Sequence, residues 1–165
     1  MRQLTLIRHA TATRYIDAES DAGRHLTAAG QGEARALGKH LAKRSDRPSH
    51  WLVSSATRTQ ETARAIGLAL REEPSPHWLE PRLYLAESSA IVELMRTLPS
   101  DCTHAVIVAH NPGITDLYRH LLDQPTAPTL EPATCITLIS PQAAWSDTGA
   151  GDFKLSERWQ PPRGE

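Results

Sequence analysis

A chain of 165 residues carries 18 Lys and Arg against 19 Asp and Glu, a formal charge of -1. That length supports a single domain whose core needs neither disulfides nor metal, and the charge balance argues against bulk nucleic-acid or polybasic membrane binding. No leader pattern opens the chain and no run approaches about 18 apolar residues, so a cytoplasmic protein without a membrane span is expected.

Residues 3–7, QLTLI, read as a strand buried on both faces. Residues 12–25 are polar and aperiodic, as in a loop. Thr27 can cap a helix running to about Arg44, with Ala34, Leu37 and Leu41 on one face. Gly30 and Gly32 are poor helix residues and mark a place where backbone or ligand comes close. The mixed charges from Glu33 to Lys43 read as a solvated face. After a turn around Pro48, residues 51–55 form a second strand, and residues 57–71 a helix presenting Ala63, Ile66 and Leu70. The stretch PSPHW is expected to be extended. A third helix covers about residues 90–98 and ends at Pro99.

Residues 104–110, HAVIVAH, are the clearest strand. Asn111-Pro112-Gly113 then turns the chain into a helix aligned on Ile114, Leu117 and Leu121. A proline-rich loop leads to a strand over residues 134–139, at or near a sheet edge, and residues 152–159 supply a last edge strand. Cys102 and Cys135 belong to no ligand pattern and read as reduced, inert thiols, so no metal site is expected. Alternation of strands and helices predicts a three-layer α/β/α sandwich with a mostly parallel central sheet and no large lid domain. The domain is expected to span residues 1–159, with residues 160–165 as a flexible tail.

Three of these strands end in functional groups: Arg8-His9, the run to Thr57-Arg58, and His110-Asn111. Open α/β sheets bind ligands at the carboxyl ends of their strands. Neighbouring strands would bring Arg8, His9, Arg58 and His110 into one pocket. Two permanent cations and two imidazoles repel one another unless an anion fills the cup, and arginine's fork suits phosphate oxygens. Alone, Arg58 reads as a solvated helix residue and His110 as a cap; His40, His50, His77, His104 and His120 read as surface or packing residues.

Four motifs in order, LIRHA, LTAAGQGEA, SSATRTQETA and VAHNPG, resemble the histidine phosphatase (phosphoglycerate mutase-like) superfamily. Short length and the NPG turn make the match closest to its small SixA-type phosphohistidine phosphatase branch. The resemblance covers about residues 4–138. It implies that His9 is the nucleophile, forming a phosphohistidine intermediate. It further implies that Arg8 and Arg58 grip the phosphate, that His110 supports the charge on its oxygens, and that no cofactor is needed. Arg24, Asn111 and Thr11 fall where they would contact substrate.

The chain departs from the pattern at Ala10, where the wider superfamily has glycine, and at His25, where the branch has proline. Larger relatives supply a carboxylic acid after the second helix. Glu87, and after it Glu80, falls in that stretch, but neither sits in a convincing motif. A phosphoramidate substrate dispenses with such an acid, because its leaving nitrogen takes a proton from solvent. The expected substrate is therefore a phosphorylated protein, such as a histidine-containing phosphotransfer domain. A small-molecule phosphomonoesterase and a non-catalytic phosphate-binding module are the alternatives.

Overall fold

The computed structural model describes residues 1–163. Strands β1 (Arg2–Arg8), β2 (His50–Val53), β3 (His104–Ala109), β4 (Cys135–Ser140) and β5 (Lys154–Trp159) form one sheet in the order β2-β3-β1-β4-β5. The β2, β3 and β1 strands pair in parallel, while β4 runs antiparallel to both β1 and β5. β5 thereby points the same way as the first three strands, and β4 alone opposes them.

Helices α1 (Ala28–Ala42) and α2 (Thr57–Leu70) cover one face; α3 (Ser88–Arg96) and α4 (Gly113–Leu122) cover the other. Strand alternation divides the core. Leu4, Leu6, Ala105 and Ile107 pack with Ile91, Met95, Ile114 and Leu117. Ile7, Val106 and Val108 pack with Leu37, Ala63 and Ile66 on the opposite side. Both faces are buried, which is why these strands are apolar throughout.

Local chemistry sets the helix ends. The Thr27 hydroxyl accepts the Gly30 N–H at 3.0 Å and starts α1. α2 stops where Arg71 turns left-handed, at φ 60°, and closes onto the Gly67 and Leu68 carbonyls. A Cβ on Gly30 would sit 1.9 Å from the Thr11 carbonyl oxygen, so backbone does come close there. Gly32 meets only Arg35, at 4.0 Å, and carries no such constraint.

The PSPHW stretch is not extended: Pro76–Trp78 form a 3-10 turn capped by Ser75. Trp78 stacks on Trp51 with ring centres 4.3 Å apart, and that contact holds the turn against the sheet. Residues 71–103 hold only this turn, a second over Pro81–Leu83, and α3, so no large lid is inserted. Of the expected tail, Pro161 is buried and Arg163 pairs with Glu131 at 2.9 Å; Gly164 and Glu165 lie outside the described residues. No helix among the described residues is long and apolar enough to cross a membrane.

Candidate active site

Three parallel neighbours end at one edge of the sheet. β1 ends in Arg8 and hands over His9; β2 is followed by Ser54; β3 is followed by His110. The His9 backbone N–H donates to the Ala109 carbonyl at 3.2 Å, which continues the ladder one residue past the strand. His9 is 8% exposed, and its ring lies 5.4 Å from that of His110.

The His9 tautomer follows from its partner. Nδ1 lies 2.7 Å from the Ala10 carbonyl oxygen. A carbonyl only accepts, so Nδ1 carries the hydrogen and Nε2 keeps its lone pair. His110 Nε2 lies 2.6 Å from the buried Ser54 hydroxyl. Arg58 is 2% exposed and donates through Nη1 to the Asp21 carbonyl at 2.7 Å, and through Nη2 to the Asp21 carboxylate at 3.1 Å. Arg8 donates to the Leu130 carbonyl at 2.9 Å.

Both pocket imidazoles are neutral at pH 7. Burial pushes the His9 pKa down to about 3, against its bond to Ala10, and His110, Arg58 and Arg8 push the same way as burial. Burial also lowers His110 to about 4, with Arg58 the next cause. Asp21 is held at about 2, chiefly by the Tyr84 hydroxyl and then by Arg24 and Arg58. Burial and Arg163 lower the Arg8 pKa.

Arg8 Nε, Arg58 Nε and His110 Nδ1 are buried with no protein partner. Unpaired buried polar nitrogens are costly, and a tetrahedral oxyanion offers acceptors of the right sign. Among the described residues, no group of three or more His, Cys, Asp or Glu is arranged to hold a metal ion. Two grooves, of about 570 and 610 Å³, run along α2 and between α1 and α2, and neither is lined by Arg8, His9, Arg58 or His110.

The other predicted residues divide. Arg24 reaches the group through Asp21, at 3.1 Å, and is steadied by the Thr13 carbonyl at 2.6 Å. Thr11 is tied back to Glu33, whose carboxylate accepts its N–H and its hydroxyl, each at 2.9 Å. Glu33 is therefore not part of a solvated face: it anchors the loop that follows His9. The Asn111 amide donates to the Leu130 carbonyl at 2.8 Å and accepts from Thr115 at 2.6 Å, so it braces the loop that also holds Arg8. Glu87 is exposed at the start of α3, and its side chain caps nothing. Glu80 is bound by Arg82, which lowers its pKa and keeps it ionised.

Residues 4–84 match the model of the histidine phosphatase superfamily (branch 1). Along 97% of this chain and 96% of the other, the fold superposes with a TM-score of 0.79 on a protein assigned as phosphohistidine phosphatase SixA from Nakamurella multipartitia, at 26% identity. The fold is that of the histidine phosphatases. A tungstate complex of the protein histidine phosphatase SixA shares the fold at TM-score 0.80 and 22% identity, over 96% of each chain. A mycobacterial glucosyl-3-phosphoglycerate phosphatase shares it more distantly, at TM-score 0.67 and 17% identity, over 98% of this chain and all of that one. No curated protein matches the chain by sequence.

Within this histidine phosphatase fold, three supporting residues escaped the sequence reading. Ser54 follows a strand end, so the rule that singled out His9 and His110 also reaches it. Tyr84 stands edge-on to His110, with ring centres 5.7 Å apart, and its hydroxyl donates to Asp21. Thr62 accepts the Ala10 N–H at 3.1 Å and donates to the Arg58 carbonyl at 2.8 Å. Nothing in the local sequence marks the last two.

Proposed function

We propose that this protein is a phosphatase working through a phosphohistidine on His9, with protein phosphohistidine as its substrate. One observation carries the reading: a buried, neutral imidazole whose Nδ1 is tied to a carbonyl leaves Nε2 as a nucleophile between two arginines.

In the first step the Nε2 lone pair attacks phosphorus, and the bond from phosphorus to the leaving nitrogen breaks. That nitrogen takes its proton from solvent. Arg8 and Arg58 bear the charge on the phosphoryl oxygens, and His110 donates from Nδ1 when the Ser54 hydroxyl donates to its Nε2. Water then attacks the phosphorus of phospho-His9, releasing inorganic phosphate and restoring the imidazole.

Three things support the phosphoramidate substrate. No lid is inserted between α2 and β3 to enclose a small molecule. Glu80, one of the two carboxyls in that stretch, is held ionised by Arg82 and so is not set to protonate an alkyl leaving group. A SixA of the same fold carries tungstate, a tetrahedral oxyanion of the shape the unpaired nitrogens here would accept.

The test is acid-free quenching after mixing with labelled phosphohistidine protein. Wild type should retain label and His9→Ala none, with turnover reduced at least about 10⁴-fold. Equal labelling of the two would remove His9 from the nucleophile's role. Faster turnover of a simple aryl phosphate than of a phosphorylated histidine-carrier domain would favour the phosphomonoesterase reading, which the mycobacterial relative represents.

A further inference from the structure

The cup contains one anion of its own. Asp21 comes from the loop between β1 and α1, yet its carboxylate touches three pocket groups: Arg58 at 3.1 Å, Arg24 at 3.1 Å, and the Tyr84 hydroxyl. The Asp21 carbonyl takes a second Arg58 N–H, at 2.7 Å. The next residue fastens the loop, because the Ala22 carbonyl accepts the Thr57 N–H at the start of α2, at 2.9 Å. A loop whose only regular structure is a 3-10 turn over Tyr15–Asp17 and a bridge between Ala12 and Leu26 is thus pinned at the helix turn that carries the phosphate-gripping arginine.

The placement is informative because Arg58 has almost no access to solvent. Its guanidinium can be neutralised only by something within the cup. Asp21 supplies that charge from the protein, while Arg8 on the opposite wall binds only a backbone carbonyl. The two arginines therefore differ: Arg58 is in contact with a carboxylate, and Arg8 feels Glu131 only at a distance.

We propose that Asp21 is an internal competitor for Arg58, sharing the guanidinium with the phosphoryl group so that the oxyanion is held loosely enough to leave. This rests on the reading of the cup as a phosphate site. A pocket of two bare arginines would bind the product phosphate tightly and stall. With the carboxylate beside Arg58, part of the attraction is cancelled at every stage, and the same carboxylate keeps the guanidinium in place when phosphate departs. Tyr84 takes part by holding Asp21 from the far side. Asp21 is a positioning residue, since its role is exerted through Arg58 and it does not touch the reacting atoms.

The experiment is calorimetric titration of the whole protein with inorganic phosphate, for wild type, Asp21→Asn, Asp21→Ser and Arg58→Ala. Asp21→Asn keeps the shape and removes the charge, so phosphate should bind about five times more tightly than to wild type. Asp21→Ser should shift the same way, and thermal melts establish that both remain folded. In steady-state assays the phosphate inhibition constant should fall with the dissociation constant, and kcat and KM should fall together as product release slows. Unchanged or weaker phosphate binding by both folded variants overturns the competitor role, because a purely structural support for Arg58 predicts loss of affinity. If wild type binds no phosphate, or Arg58→Ala binds it as well as wild type, the phosphate-site reading itself fails.

Discussion

The two ends of the sheet each bury a histidine with a depressed pKa, yet only one of them resembles a reaction site. At the amino end His104 is lowered to about 4, mainly by burial, much as His110 is at the carboxyl end. Its Nε2 meets the Thr5 hydroxyl at 2.8 Å and its Nδ1 lies 3.6 Å from Asp46. Around it, Arg44 binds Asp46 at 2.9 Å and Glu157 at 2.7 Å, so the cation is matched by carboxylates. At the carboxyl end the Asp21 carboxylate pairs with Arg58 and Arg24 but not with Arg8, and the Nε groups of Arg8 and Arg58 are unpaired. Burial and a shifted pKa are common to both ends. Unmatched positive charge is what separates the cup at the carboxyl end from the structural network at the amino end.

Substitutions on the two arginines should give the largest contrast. Arg58→Ala should lower kcat/KM by about 10² to 10³ while leaving the melt nearly unchanged. Arg44→Ala should retain activity and lose about 2 kcal/mol of stability, because Asp46 and Glu157 are left without their shared cation. Steady-state kinetics beside denaturant unfolding would read both. Similar losses of activity from the two variants would break the distinction.

Next in size is the histidine pair. His110→Asn should cost roughly a hundredfold in kcat with little change in stability. His104→Asn should leave kcat intact and cost about 1 kcal/mol, through the lost bond to Thr5. If His104→Asn proved the slower enzyme, the amino end would carry more than packing.

The last contrast concerns pH. His9, His104 and His110 have folded pKa values of about 3, 4 and 4, below the ordinary imidazole value of 6.5. Below pH 6.5 the unfolded chain therefore binds more protons than the folded one. Stability is fully present above 6.5 and declines as pH falls toward 4, by up to about 1.4 kcal/mol per pH unit for each histidine. Asp21 and Asp46, both near 2, add their own loss only below the ordinary value of 3.8. Inorganic phosphate should soften the decline by favouring imidazolium at His9 and His110, and should not affect the share due to His104. Unfolding at pH 7 and pH 5, with and without phosphate, would show it. Equal declines in the two buffers would mean that the anion does not sit beside those rings.

What was legible in the sequence was whatever obeyed a period or a boundary. LTLIRH and HAVIVAH announce buried strands that deliver polar residues at one edge, and the neighbouring Arg58 opens a helix. Thr27 and the helix faces follow from capping and spacing. The loop from Thr11 to Arg24 was opaque because its partners are remote: Asp21 meets Arg58 across 37 positions and Tyr84 across 63. Asn111 shows the limit of adjacency, since it follows His110 directly yet turns its amide toward Leu130. Glu33 lies on the polar side of α1, but Thr11 folds back upon it. Neither reversal has a local signal.

Thr62 carries a consequence for how such a protein can change. Its fully buried hydroxyl joins the backbone beside His9 to the helix turn bearing Arg58, so one interior atom fixes their relative aim. The loops that carry Asp21 and Tyr84 also display Tyr15, Ile16 and Leu85, which are 66%, 81% and 55% exposed. Alignment is set in the interior and outer-surface chemistry at the periphery, by different residues. Outward-facing side chains can thus be exchanged with no retuning of how His9 is aimed relative to Arg58.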